Sequence, residues 1–145
     1  MKSLLRCLIL LFGLCIIGQW VHGEELLVVV HKDNGIEQLT KAQVVDIFMG
    51  RYITFPNGQK AKAYDLAPKS NDKAQFYKQL VNRSEAQINA YWARLLFSGR
   101  SSPPVTVDSP ERLVEALAQS PQGIAYIPSH YMTDKLKVVY RFEAL

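Results

Sequence analysis

Four consecutive residues, Lys69-Ser70-Asn71-Asp72, carry the most suggestive chemistry in this sequence. They stand where a strand gives way to a predicted helix. A turn of that kind leaves backbone N–H groups without helical acceptors, beside the positive end of the helix dipole, and so suits an anion. The same residues also serve an ordinary helix start, with Ser70 as cap and Asp72 as the acid of the first turn. Both readings stand on the local pattern. Arg94 and Arg100 are secondary candidates. Arg94 falls off the apolar stripe of a later helix and Arg100 follows its stop; each either answers the C-terminal dipole or holds an anion or a partner.

Catalytic signatures are missing. Beyond residue 23 the histidines are His31 and His130, far apart and without a partner at metal-ligand spacing. There is no Gly-x-Ser-x-Gly elbow and no phosphate-cradling glycine loop. Ser129 and His130 are adjacent, a spacing at which side chains rarely face one another, and no third member completes a triad. Asn82-Arg83-Ser84 fits a glycosylation sequon, yet Ser84 is better explained as a helix cap. The expectation is a protein without catalytic residues, metal or cofactor.

The first 23 residues read as a secretory signal peptide. Lys2 and Arg6 supply the positive start, Cys7 to Ile17 the apolar run, and Val21-His22-Gly23 a cleavage site before Glu24. The run is about a dozen residues, short of the roughly 20 that a spanning helix needs. Cleavage removes both cysteines, so residues 24–145 form no disulfide and no thiolate metal site. It also removes Lys2 and Arg6, leaving 15 basic against 13 acidic side chains. A net of +2, scattered along the chain, argues against nucleic acid as a partner. Residues 24–145 are expected to make one domain in the periplasm, with no membrane span after cleavage.

The elements that must position these residues follow from periodicity and punctuation. Leu26 to Val30 is a continuous apolar, β-branched run, the pattern of a strand buried on both faces. Thr40 and Gln43 make a capping box for a helix with Val44, Val45 and Phe48 inward and Gly50 at its close. After the Pro56-Asn57-Gly58 turn, the alternation of Lys60 and Lys62 with Ala61 and Ala63 predicts a half-wet strand. Ser70 caps a helix burying Phe76, Tyr77, Leu80 and Val81. Ser84 with Gln87 opens another, with the stripe Ile88, Tyr91, Trp92, Leu95 and Leu96 and a stop at Gly99. Val105 to Val107 is a short strand, Ser109-Pro110 starts a helix burying Leu113, Val114 and Leu117, and Gly123 to Ile127 and Leu136 to Tyr140 are the last strands. Strands and helices interleave throughout, which gives an α/β class.

Three segments together resemble phosphate-type periplasmic substrate-binding proteins. Leu39 to Arg51, with Ile47-Phe48-Met49-Gly50, is similar to that family's Leu-Ser/Thr…Ile-Phe-x-Gly segment. Ser70 to Phe76, followed by Leu80, aligns with its Ser-Gly-Thr helix start. Pro121-Gln122-Gly123-Ile124-Ala125-Tyr126-Ile127 resembles its Pro-Gly-Ala-Ile-Gly-Tyr-Val strand. Full-length members clamp a ligand between two lobes, and this chain has the length of one. The resemblance implies a single lobe of a type II periplasmic-binding-protein fold, a mixed sheet with helices on both faces, serving uptake or sensing without catalysis. It implies phosphate or another small anion at Lys69, Ser70, Asn71 and Asp72. Ser70 is kept, Asn71-Asp72 replace Gly-Thr, and Leu66 stands near the family's arginine, so that binding is expected to be weak. The alternative is a protein-interaction or dimerisation module that keeps the lobe and has lost the ligand, with a second copy or a periplasmic protein as partner.

Overall fold

The computed structural model describes residues 24–143; the signal peptide expected at residues 1–23 lies outside them. The elements run β1 (Leu26–His31), α1 (Lys41–Phe48), β2 (Lys62–Leu66), α2 (Asn71–Val81), α3 (Glu85–Phe97), β3 (Val105–Val107), α4 (Pro110–Ala118), β4 (Gly123–Pro128) and β5 (Leu136–Arg141). A 3-10 turn at Ser129–Tyr131 follows β4. The five strands lie in the order β3-β2-β4-β1-β5. β2 is parallel to β3 and to β4, whereas β1 is antiparallel to β4 and β5. The sheet is therefore mixed, as expected.

Burial explains why β1 and β4 sit at the centre. Leu26 to Val30 and all six residues of β4 are buried without alternation, so both faces of the sheet are covered. Gly123 faces Leu117 of α4 so closely that a Cβ there would lie 2.7 Å from it. Tyr126, three residues on and thus on the opposite face, stacks on Phe76 of α2 at 3.8 Å between ring centroids. Phe48 of α1 meets Phe76 edge-on at 4.8 Å. Helices accordingly cover both faces, α4 on one and α1 with α2 on the other.

Side-chain caps start the helices where the sequence marks them. Thr40 with Gln43 and Ser84 with Gln87 form reciprocal capping boxes, and Ser70 and Ser109 each accept from a first-turn N–H. Gly50, at φ 67°, closes α1 against the segment after α3. A Cβ there would stand 2.5 Å from Ser101 Oγ and 2.7 Å from the Trp92 ring. Ser101 Oγ donates to the Gly50 carbonyl at 3.2 Å, and the Tyr91 hydroxyl to that of Met49 at 2.6 Å.

One packing expectation fails. Leu96 belongs by spacing to the buried stripe of α3, yet it is 53% exposed, and Phe97 beside it is 97% exposed. Ile88 and Trp92 are the buried residues of this helix; its last turn is left uncovered.

Candidate functional site

The turn between β2 and α2 is built as a tight corner. Ala67 N–H donates to Val107 of the neighbouring strand at 3.0 Å, which fixes where β2 ends. Lys69 then takes φ 68°, a left-handed conformation uncommon outside glycine. That geometry turns its N–H onto the Glu85 carboxylate at the start of α3, at 3.0 and 3.2 Å from the two oxygens. Ser70 Oγ accepts from the Lys73 N–H at 3.4 Å. The four candidate residues thus share one corner, but a carboxylate already holds one of its donors. The N–H groups of Asn71 and Asp72, in the first turn, are the ones left without a helical acceptor.

Charge around that corner is negative. The Asp72 carboxyl is pushed above its ordinary value, first by burial and then by the charge of Glu24, with His130 acting in the opposite sense. His130 Nδ1 is hydrogen-bonded to the Glu24 carboxylate. This is a loop histidine held by an acid across the surface, and it makes no pair with Ser129. Tyr131 donates to Glu111 at 2.7 Å, and that hydrogen bond is the main cause of the lowered Glu111 carboxyl. Glu24 stands near enough to Asp72 to act on its charge, and Glu85 takes the Lys69 N–H, so acids crowd the helix start beside the exposed ammonium of Lys69. An anion arriving here meets the like charges of Asp72 and Glu85 as well as the Lys69 ammonium, which weakens its binding.

Beneath the corner lies a buried polar network that the expected apolar stripe did not include. Asp65 of β2 and Lys73 of α2 are 4% and 6% exposed, and Lys73 Nζ stands 3.1 Å from Asp65 Oδ2. The ammonium also donates to the Leu66 carbonyl at 3.2 Å. Tyr77 donates to Asp65 Oδ2 at 2.9 Å, and Tyr126 donates to Asp65 Oδ1. The Leu66 N–H in turn donates to the Tyr126 hydroxyl at 3.3 Å. Burial, and behind it the Asp65 charge, raises both tyrosine hydroxyls, so they remain protonated donors. The result is a closed network in which both charges are partnered. A signal for it was present: Lys73, Phe76, Tyr77 and Leu80 share the i, i+3, i+4, i+7 spacing of the buried stripe, with a charge at its head. The Leu66 position, where the resemblance places an arginine, offers only backbone groups, and both are engaged within this network.

Arg94 and Arg100 do not join the loop. α3 begins at Glu85, which touches Lys69, and runs 13 residues, about 20 Å, before it ends at Phe97. Gly99, at φ 67°, then turns the chain back, and the Arg100 N–H donates to the Leu95 carbonyl at 3.1 Å. Arg94 and Arg100 thereby line one shallow cavity of about 330 Å³ with Tyr91, Leu95 and Ser98. Neither guanidinium has a carboxylate partner among the described residues. Among those residues no cluster could hold a metal ion, and no helix is long and apolar enough to cross a membrane.

Comparison with solved structures places this geometry. An ABC-type phosphate transport receptor from Vibrio cholerae superposes with a TM-score of 0.64 at 16% identity, over 80% of this chain and 45% of that one. PstS from Borrelia burgdorferi gives 0.62 at 14% identity, over 80% and 46%. A Clostridium perfringens protein assigned as a phosphate transporter's substrate-binding protein, solved with phosphate bound, gives 0.67 at 16%, over 83% and 47%. The chain has the fold of one lobe of such proteins. It spans less than half the length of each of these three structures. No family model matches the sequence, and no curated protein matches it. At these identities the likeness is one of fold.

Proposed function

We propose that residues 24–145 form a non-catalytic, exported module of the substrate-binding-protein kind, which takes phosphate or another small anion weakly at Lys69–Asp72. The observation that carries this reading is the strand-to-helix corner itself: a capped helix start with two unengaged N–H groups, on a lobe whose structural relatives include one solved with phosphate. Weakness follows from the same corner. A two-lobed protein surrounds an anion from both sides, whereas one lobe supplies only its share. Hydrogen bonds to a charged group are worth about 1.5–3 kcal/mol each. With Leu66 and Asp72 where the resemblance has arginine and threonine, two such bonds are missing, or roughly two to four decades of affinity. Calorimetry with phosphate tests the proposal, and a dissociation constant of about 1 mM is expected. Micromolar affinity lost on Ser70→Ala would show that the corner binds as an unmodified family site does.

One observation favours the alternative, a docking or dimerisation module without a ligand: the Lys69 N–H is already satisfied by Glu85. Under that reading Ser70→Ala and Glu85→Gln leave phosphate binding undetectable, and light scattering finds a dimer or a partner complex. The periplasmic assignment rests on the leader read from residues 1–23. Intact mass of the exported protein should place its first residue at or within a few positions of Glu24, and a full-length chain in the membrane pellet would refute it.

A further inference from the structure

All the large apolar side chains that stand exposed among the described residues lie on three segments: Tyr52 and Ile53, Leu96 and Phe97, and Val105, at 63%, 69%, 53%, 97% and 45% exposure. These segments meet. Gly50, just before Tyr52, is bonded to Ser101, which lies between Phe97 and Val105. The Ile53 carbonyl accepts from Ala61, one residue before β2 begins, so Ile53 sits at the N-terminal end of that strand. The Lys69–Asp72 corner follows the C-terminal end of the same strand. The apolar side chains and the acidic corner therefore occupy opposite ends of β2. At the apolar end, Arg94 and Arg100 face a common cavity without a carboxylate partner among the described residues.

We infer that this end of the molecule docks on an anionic lipid surface, with Phe97 and Ile53 entering the headgroup boundary and Arg94 and Arg100 pairing with lipid phosphates. The inference stands apart from the proposed anion corner, which it leaves facing away from the surface. Charge decides the occupant. Two unpaired guanidiniums beside a bare aromatic ring match a layer that is negative outside and apolar within. A second copy placed symmetrically on the patch would gather four guanidiniums into one interface, none of them with a carboxylate partner on its own chain among the described residues. The exposed side chains protrude, Phe97 almost completely, and a fluid lipid surface accepts protrusions without shape complementarity. The acidic residues at the far end of β2 favour this orientation by repulsion.

Co-sedimentation with vesicles tests it, using the protein recovered from the exported fraction. Wild type is expected to bind phosphatidylglycerol vesicles at least tenfold more tightly than phosphatidylcholine vesicles. Phe97→Ser, without changing the melting curve, and separately the pair Arg94→Glu with Arg100→Glu, which also sets acids against the C-terminal dipole of α3 and so lowers the melting temperature slightly, should each weaken binding to phosphatidylglycerol by about tenfold or more. The pair Arg94→Lys with Arg100→Lys should keep most of it, since only charge is needed. Variants that bind like wild type overturn the inference, because the contact then lies elsewhere in the chain. A wild type indifferent to phosphatidylglycerol overturns it too, as does a cross-link from position 97 to a partner protein. Release from the vesicles by millimolar glycerol phosphate would show a site for a soluble anion, and that also overturns the docking surface.

Discussion

The two ends of β2 treat charge in opposite ways. At the C-terminal end the polar groups are mostly engaged within the chain: Lys73 holds Asp65, the Lys69 N–H donates to Glu85, and Glu24 is bonded to His130, while the Lys69 ammonium and the Asp72 carboxylate stay without an ion-pair partner among the described residues. At the N-terminal end Arg94 and Arg100 share a cavity unanswered, and the neighbouring apolar side chains are bare. Answered charges fix a conformation, since a buried or crowded ion without a partner is unfavourable. Charges without a carboxylate partner beside exposed apolar surface do little for the fold beyond answering a helix dipole, and remain available to something outside it. The corner that resembles a ligand site is thus the more self-satisfied region, and the end without a family motif is the more open one.

The largest effect expected on this contrast comes from breaking the buried network. Lys73→Met leaves Asp65 charged and buried, with only two tyrosine hydroxyls to answer it. Removing one partner of such a pair costs about 3–5 kcal/mol. Denaturant unfolding should show that loss, and adding Asp65→Leu should return a good part of it by removing the orphaned charge. A loss under about 1 kcal/mol for Lys73→Met alone would mean that the ammonium carries little of the network. The other end holds together through Gly50, where a side chain meets both a left-handed backbone and the Ser101 and Trp92 atoms. Gly50→Ala should therefore cost about 1–3 kcal/mol. Gly99 has a similar φ but nothing within 4 Å of a Cβ, so Gly99→Ala should cost only about 1 kcal/mol.

Next in size is the acidic corner's response to pH. Asp72 is raised in the folded protein, mainly by burial, so the native state holds this proton more tightly than the unfolded chain does. Its contribution makes the fold less stable as pH rises through the window between its ordinary value of 3.8 and its raised one. Neutralising it also removes the like charge that meets an incoming anion. Sulfate, whose charge is constant over this range, should bind more tightly as pH falls through that window. Asp72→Asn should bring about fivefold tighter binding at pH 7 and flatten that part of the profile. Calorimetry at several pH values checks both. If Asp72→Asn binds sulfate no better than wild type, the blame for weak binding shifts to Glu85 and Glu24.

The architecture was readable because burial and punctuation agree. Capping boxes at Thr40 and Ser84, proline at the first position of α4, and the unbroken apolar runs of β1 and β4 each mark an element by a local rule. The corner at Lys69–Asp72 was readable for the same reason, as a capped start after a strand. What surrounds it was not. Glu24 and His130 are brought together from 106 residues apart, and Glu85 reaches Lys69 from 16 residues away; no local spacing encodes such meetings. Lys73 was half visible: its position in the stripe is a local fact, but only the pairing of β2 with β4 brings Asp65 and Tyr126 together for it. Leu96 misled in the opposite direction, because periodicity says which side of a helix is apolar and not how far along that side the core extends.

Phe97 supplies the smallest expected effect and the sharpest control on the comparison. A side chain 97% exposed has almost no surface left to lose to water, so the folded state gains nothing measurable from it. Phe97→Ser should leave the unfolding free energy within about 0.5 kcal/mol of wild type, the range of an exposed position away from caps and cores. Serine forms a helix slightly less well than the best residues, but at the last position of α3 that difference is muted by fraying. The same change should reduce self-association or adsorption at high concentration, since it removes the most exposed aromatic side chain among the described residues. Unfolding curves and light scattering on one pair of samples check both parts. A loss of about 2 kcal/mol would mean that Phe97 packs against this chain, and the open character assigned to that end of β2 would fall with it.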